Sequence, residues 1–255
     1  MIDIRDVEAA AARLDGIAVR TPLIRNHAID EIAGGPVFIK PECLQVTGSF
    51  KIRGAYNFLS QLTAEQAQTG VVTFSSGNHA QGVAAAGAML GIRTTIVMPE
   101  DAPRAKLDNT KRLGGEVVTY DRYTGDREAI ARDIAARRGA VVVPSYDHDD
   151  IIAGQGTVGL EIARELQALE LTLAVGQYAI AWHVPEARGL TLTETVRRHD
   201  EWGVRRLPMP HPSPRNNLWL AKNPWFEADV VPVLKARVAQ ALGGGPDGAV
   251  SSCSR

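Results

Sequence analysis

The sequence predicts an α/β fold, an open parallel sheet with flanking helices, over about its first two thirds. Three observations carry this reading. Short apolar and β-branched runs alternate with helical segments of roughly 10–15 residues. Each run is nearly continuous, as a strand buried on both faces requires. Gly91, Gly114 and Gly139 follow three of the helical segments, where a left-handed terminal residue is wanted.

The elements follow in order. Ile4, Val7, Ala11 and Leu14 recur at helical spacing within residues 1–20, and Gly16 stops the run. Pro22 opens an extended segment. Val37 to Lys40 reads as a short strand, then a loop runs from Pro41 to Gly48. Lys51 to Leu62 is helical again. Strands are expected at Val71–Phe74, Thr94–Met98, Glu116–Tyr120 and Ala140–Val143. Helices are expected at His79–Leu90, Arg104–Leu113, Gly125–Arg138 and Ile151–Leu166. Beyond that the rhythm loosens. Leu171–Val175 suits a strand and Leu192–Arg198 a short helix. Pro208 to Pro214 is too proline-dense for either. Glu227–Leu242 reads as a closing helix, with a frayed tail from Gly243 to Gly245.

The 255 residues suffice for one large domain or two small ones. A net charge of −1 gives no whole-chain footprint for nucleic acid or membrane. No apolar run approaches the roughly 18–20 residues that span a bilayer. The charged N-terminus lacks a signal-peptide core. Cys43 and Cys253 lie far apart, which suits reduced thiols in a cytoplasmic protein. No Cys/His spacing suggests a metal site. All four tryptophans (Trp182, Trp202, Trp219 and Trp225) fall late in the chain, as do most of the prolines. That asymmetry suggests two origins for the chain.

Two segments of the first part carry chemistry. Lys51 follows Gly48-Ser49-Phe50 at the start of a helix. A helix N-terminus disfavours a nearby cation, which would lower the amine's pKa and help it attack an aldehyde. The bland alternative is a first-turn lysine pointing into water. Ser75-Ser76-Gly77-Asn78-His79 directly follows a strand and opens a helix. Ligands bind at that position in open parallel sheets, and exposed N–H groups there form an anion cradle. An ordinary N-cap with a glycine turn is the alternative.

Together these segments closely resemble the threonine/serine ammonia-lyase (dehydratase) family, fold-type II pyridoxal-phosphate enzymes. That group also includes serine racemase and threo-3-hydroxyaspartate dehydratase. Ile96 to Pro99, Lys106 to Gly115 and Ile152 to Thr157 agree, so the resemblance covers residues 1–168. It implies pyridoxal 5'-phosphate as cofactor and a small amino acid as substrate. Lys51 would hold the cofactor aldehyde and move the α-proton. Phe50 would lie against the pyridine ring and Asn78 would bond its phenolic oxygen. Ser75, Ser76 and His79 would hold the substrate carboxylate, with Ser76 the acid/base of racemising members. The implied reaction is β-elimination from threonine or serine to a 2-oxo acid and ammonia. The family continues with a glycine run that binds the cofactor phosphate, and none follows Glu165 here. The serine or cysteine at the pyridine nitrogen and the acidic ion ligands are missing too. Losing that cradle removes several bonds worth about 1.5–3 kcal/mol each, so impaired activity is expected. Relatives are often oligomers, which keeps homo-oligomerisation open.

The remainder resembles a different family. Gly176-Gln177-Tyr178-Ala179, Leu207 to Asn217 around His211-Pro212-Ser213-Pro214-Arg215, and Asn223-Pro224-Trp225-Phe226-Glu227 are similar to the C-terminal part of uracil-DNA glycosylase-like proteins. That resemblance covers residues 169–255 and predicts an incomplete α/β segment. It implies His211 and Ser213 as base contacts and Arg215 as a DNA contact. The family's own N-terminal strand and water-positioning loop are not here. DNA is therefore a partner only under this second reading. A third reading is a non-catalytic fusion product.

Overall fold

The computed structural model describes residues 2–166, 170–211 and 216–242. The chain forms two compact units. The first comprises Met1–Ile24 and Phe38–Glu165, the second Arg25–Val37 and Leu166–Arg255.

In the first unit, α1 (Ile4–Arg13) begins at a capping box in which Asp3 and Asp6 satisfy each other's backbone N–H groups. The chain continues through β1 (Ile24–Arg25), then α2 (His27–Ala33), which belongs to the second unit, and returns at β2 (Phe38–Ile39). Helix α2 corrects the extended reading after Pro22. Asn26 caps its start and Gly34, at φ +76°, ends it. Then come α3 (Lys51–Leu59), α4 (Ala64–Thr69), β3 (Val71–Phe74), α5 (Asn78–Leu90), β4 (Thr94–Pro99), α6 (Arg104–Arg112), β5 (Glu116–Tyr120), α7 (Arg127–Arg138), β6 (Val141–Val142) and α8 (Asp149–Glu165).

Strands β5, β4, β3 and β6 form a parallel sheet in that order. Every residue of β4 is buried, and so are the first three of β3. One core cluster joins Ile52, Leu59, Val83 and Ile151. Another sets Val72 and Val97 against Ala131 and Ile134 of α7. Each fully buried branched side chain contributes about 1.5–3 kcal/mol. Gly91 and Gly139 take the left-handed conformation at the ends of α5 and α7, as expected.

Helix α3 is held at backbone distance on two sides. A methyl placed on Gly82 of α5 would lie 3.0 Å from the Lys51 carbonyl carbon. One placed on Gly154 of α8 would lie 2.6 Å from the Arg53 carbonyl oxygen. Only glycine permits both approaches.

In the second unit, β7 (Thr172–Val175) and β8 (Arg206–Met209) make a two-stranded parallel sheet. Between them lie α9 (Gln177–His183) and α10 (Leu192–Arg197). After β8 come α11 (Asn217–Lys222), a π-helical turn at Phe226–Val230, and α12 (Val231–Ala241). The expected closing helix thus begins as a wider turn. Strand β8 also corrects the reading of Pro208, which pairs with Ala174. The β8 carbonyls facing β7 are those of Arg205 and Met209, which accept from Thr172 and Gly176. Pro208 alternates with them, so its missing N–H falls on the outer edge. Two small cores flank this sheet. Trp202 packs with Ala174, Ile180 and Val184; Leu207 packs with Val196, Phe226 and Val230.

Candidate active site

Gly48, at φ +70°, turns the chain into α3. Phe50 is the N-cap and Lys51 the first helical residue. The Lys51 Nζ donates to the carbonyl oxygen of Ser145 at 3.0 Å and lies 5.0 Å from the centre of the Phe50 ring. Burial holds its pKa below the ordinary lysine range. Removing an ammonium from water favours the neutral amine, the form that adds to a carbonyl.

Ser145 follows β6, and the Ser75–Gly77 loop follows β3 directly, so both stand at the C-terminal edge of the parallel sheet. Ligands are held at that edge in open α/β folds. The Ser75 N–H donates to Val97 at 3.2 Å, and the Gly77 N–H to the Ser75 hydroxyl at 3.3 Å. Ser75 and Ser76 are half-buried, and Asn78 is exposed at the start of the 13-residue α5. Nothing stands within 4 Å of a methyl placed on Gly77, so the turn has an open face.

His79 departs from the expected picture. Its imidazole is turned inward, with Nε2 3.1 Å from the Thr73 hydroxyl. Burial, then the neighbouring Lys51 charge, lower its pKa to about 4. What His79 offers the loop is its backbone N–H.

A buried ion network lies two residues beyond Lys51. Arg53, about 1% exposed, bonds Glu42 at 2.8 Å and Glu161 at 2.6 Å. Lys40 reaches Glu161 at 2.7 Å. Arg53 also donates to Thr157 and to the Val19 carbonyl. Burial opposes the Arg53 charge, but its bonds to Glu42 and Glu161 outweigh that and raise its pKa. Sequence reading missed this network, as it missed the Ser145 carbonyl and Thr73. Its only sequence signal is a charged residue, Arg53, inside a helix whose neighbours Ile52, Ala55, Phe58 and Leu59 are apolar.

The residues present fit a pyridoxal group at its aldehyde and ring ends: a half-buried amine, an aromatic face and a helix-opening loop at one sheet edge. Among the described residues of this unit no glycine run supplies the phosphate end. A cavity of about 240 Å³, lined by Asp6, Arg13, Asn57, Gln61 and Asp150, includes none of these groups. Among the described residues no cluster of acidic, histidine or cysteine side chains could hold a metal ion.

The family of pyridoxal-phosphate dependent enzymes matches residues 14–179. The chain belongs to that family. The L-threo-3-hydroxyaspartate ammonia-lyase of Pseudomonas sp is 52% identical over 174 residues, covering 67% of this chain and 54% of the relative. The serine racemase of Schizosaccharomyces pombe is 46% identical over 165 residues, covering 65% and 51%. The structure of maize serine racemase superposes with a TM-score of 0.65 at 38% identity, covering 69% of this chain and 53% of that one. The chain thus spans about half the length of the curated relatives it matches. The parallel sheet with flanking helices is that of the fold-type II members.

In the second unit, Gly176 ends β7 and His211 follows β8. The His211 side chain lies 3.6 Å from a methyl placed on Gly176, and the His211 carbonyl accepts from Asn216. Ser213 and Arg215 lie outside the described residues, as do Gly243 to Gly245 and Cys253. No helix among the described residues is long and apolar enough to cross a membrane.

Proposed function

We propose that the first unit holds pyridoxal phosphate at Lys51 and serves β-elimination from a β-hydroxy amino acid. The net change is conversion of the amino acid to a 2-oxo acid and ammonia, with one water lost from Cα–Cβ and one taken up at Cα. The observation that carries this is the Lys51 amine, half-buried at the sheet edge that also carries the Ser75–Asn78 loop. When bound, the cofactor supplies an electron sink for charge developing at Cα. Lys51 would hold the group by its aldehyde and would carry the proton at Cα. Phe50 would present a ring face, and Asn78 would donate to the phenolic oxygen. Ser75, Ser76 and the His79 backbone N–H bind the substrate carboxylate, which the N-terminus of α5 favours. Ser76 carries the proton on the opposite face where racemisation competes. The relatives' activities, hydroxyaspartate ammonia-lyase and serine racemase, support this reaction class.

The test is titration of the full chain with pyridoxal phosphate, borohydride reduction and peptide mapping. Saturable labelling confined to Lys51 and lost in Lys51→Ala is expected, with ammonia release from serine, threonine or 3-hydroxyaspartate measured next. Labelling scattered over exposed lysines would sink the proposal.

A second reading, a uracil-DNA glycosylase-like site at His211 in the second unit, rests on the resemblance of residues 169–255 alone. Salt-sensitive binding to uracil-containing DNA, weakened in His211→Ala, is its expected signature. Equal binding to uracil-free DNA would remove it.

A further inference from the structure

The mechanism above leaves the buried imidazole of His79 without a task. Its surroundings are specific. Thr73 has one hydroxyl hydrogen, and it goes to the Val143 carbonyl at 2.9 Å. The Thr73 oxygen can then only accept from His79 Nε2, 3.1 Å away. This fixes the neutral tautomer with hydrogen on Nε2 and a bare lone pair on Nδ1. Nδ1 has no partner, although the ring is only 4% exposed. A buried polar group left in that state calls for an explanation.

The bonded nitrogen, Nε2, starts a chain that ends at Lys51. Strand β6 lies at the edge of the sheet and is only two residues long. Val141 donates to Gly70 and Val143 to Val72. The Thr73 bond to the Val143 carbonyl is a further tie, and it stands nearest to Ser145. Ser145 in turn accepts from Lys51 Nζ.

We infer that His79 and Thr73 form a positioning pair for the Lys51 amine, acting through the end of β6 on the Ser145 carbonyl. His79 orients the Thr73 hydroxyl, the hydroxyl anchors Val143, and the anchored segment presents the carbonyl that holds Nζ. On α5, which packs against α3, His79 senses the charge of Lys51. Glu161 is committed to Arg53 and Lys40, and Asp150 accepts from Gln61. The inference rests on the proposed role of Lys51 for its functional meaning, but not for its test.

The experiment is competitive acetylation of the full chain, without cofactor, by limiting acetic anhydride across pH 6–11. The Lys51 peptide is normalised to the exposed Lys106 and Lys111. In the parent, Lys51 should titrate below both. Thr73→Val, which removes the hydroxyl at constant shape, should free the amine to water and move Lys51 upward by about half a pH unit or more, a threefold change in reactivity. Thr73→Ser should titrate like the parent. Imidazole nitrogen shifts should report hydrogen on Nε2. A Thr73→Val curve superimposed on the parent, an equal shift in Thr73→Ser, or hydrogen on Nδ1 would each overturn the inference. The nitrogen shifts are read on the parent and need no variant to fold. A chain that never takes up pyridoxal phosphate defeats the proposed function alone and leaves this titration intact.

Discussion

The two units solve the same problem with different means. The first buries a four-stranded parallel sheet under helices and tolerates a buried ion network beside its amine. The second has a sheet of two strands, too small to be stable by itself, and leans on tryptophan and phenylalanine around it. Trp219 meets Trp225 and Phe226 edge to face at 5.9 and 5.7 Å, and Arg197 stacks on Trp225. A large sheet spreads its stabilisation over many aliphatic contacts. A minimal one concentrates it in a few rings, so single substitutions should hurt the two units in different ways.

All four tryptophans lie in the second unit, so their fluorescence reports on it, while far-ultraviolet dichroism sees both. The largest effects should come from Arg53→Ala and Trp202→Ala. The first strands Glu42 without its cation and leaves Glu161 to Lys40 alone, at about 3–5 kcal/mol. The second empties a core site and breaks the indole bond to the Thr195 carbonyl, at about 3–5 kcal/mol. In urea, Arg53→Ala should move the dichroism transition and Trp202→Ala the fluorescence one. Identical movement of both signals by either variant would abolish the distinction.

Acid should come next. The His79 pKa is depressed in the fold to about 4 from an ordinary 6.5, so the unfolded chain binds the extra proton first. Its stabilisation is fully present above pH 6.5 and is lost as pH falls toward 4. The loss amounts to about 3 kcal/mol, all within the first unit. Glu42, held below its ordinary pKa, matters only at lower pH. Urea midpoints at pH 7 and pH 4.5 should therefore differ in the parent and converge in His79→Gln. A parent midpoint flat across that window would contradict a neutral buried imidazole.

The smallest and cleanest pair is Thr63→Ala against Thr191→Ala. Each threonine closes a capping box, at α4 and α10. Each should cost about 1 kcal/mol, with only Thr191→Ala shifting the fluorescence transition.

The sheet of the first unit was legible because its central strands β3 and β4 are buried and α5 and α7 end in glycine. Lys51 at a helix start and the Ser75–His79 turn after β3 were legible for the same local reasons. Helix α2 was hidden by its seven-residue length, and β8 by Pro208, whose outward edge position no local pattern reveals. The inward turn of His79 depends on Thr73 and Val143. The Arg53–Glu161 pair spans 108 positions of sequence. A backbone acceptor such as the Ser145 carbonyl has no residue-type signature at all.

The glycine contacts around α3 have a consequence in time as well as in space. With α5 and α8 pressed against its backbone, α3 has no local way to open. Its amides, from Ala55 to Leu59, should exchange with deuterium only when the whole unit unfolds. Strand β6, an edge of two residues, should exchange much sooner. The lysine is thus borne on one of the slowest parts of the molecule and met by one of its fastest.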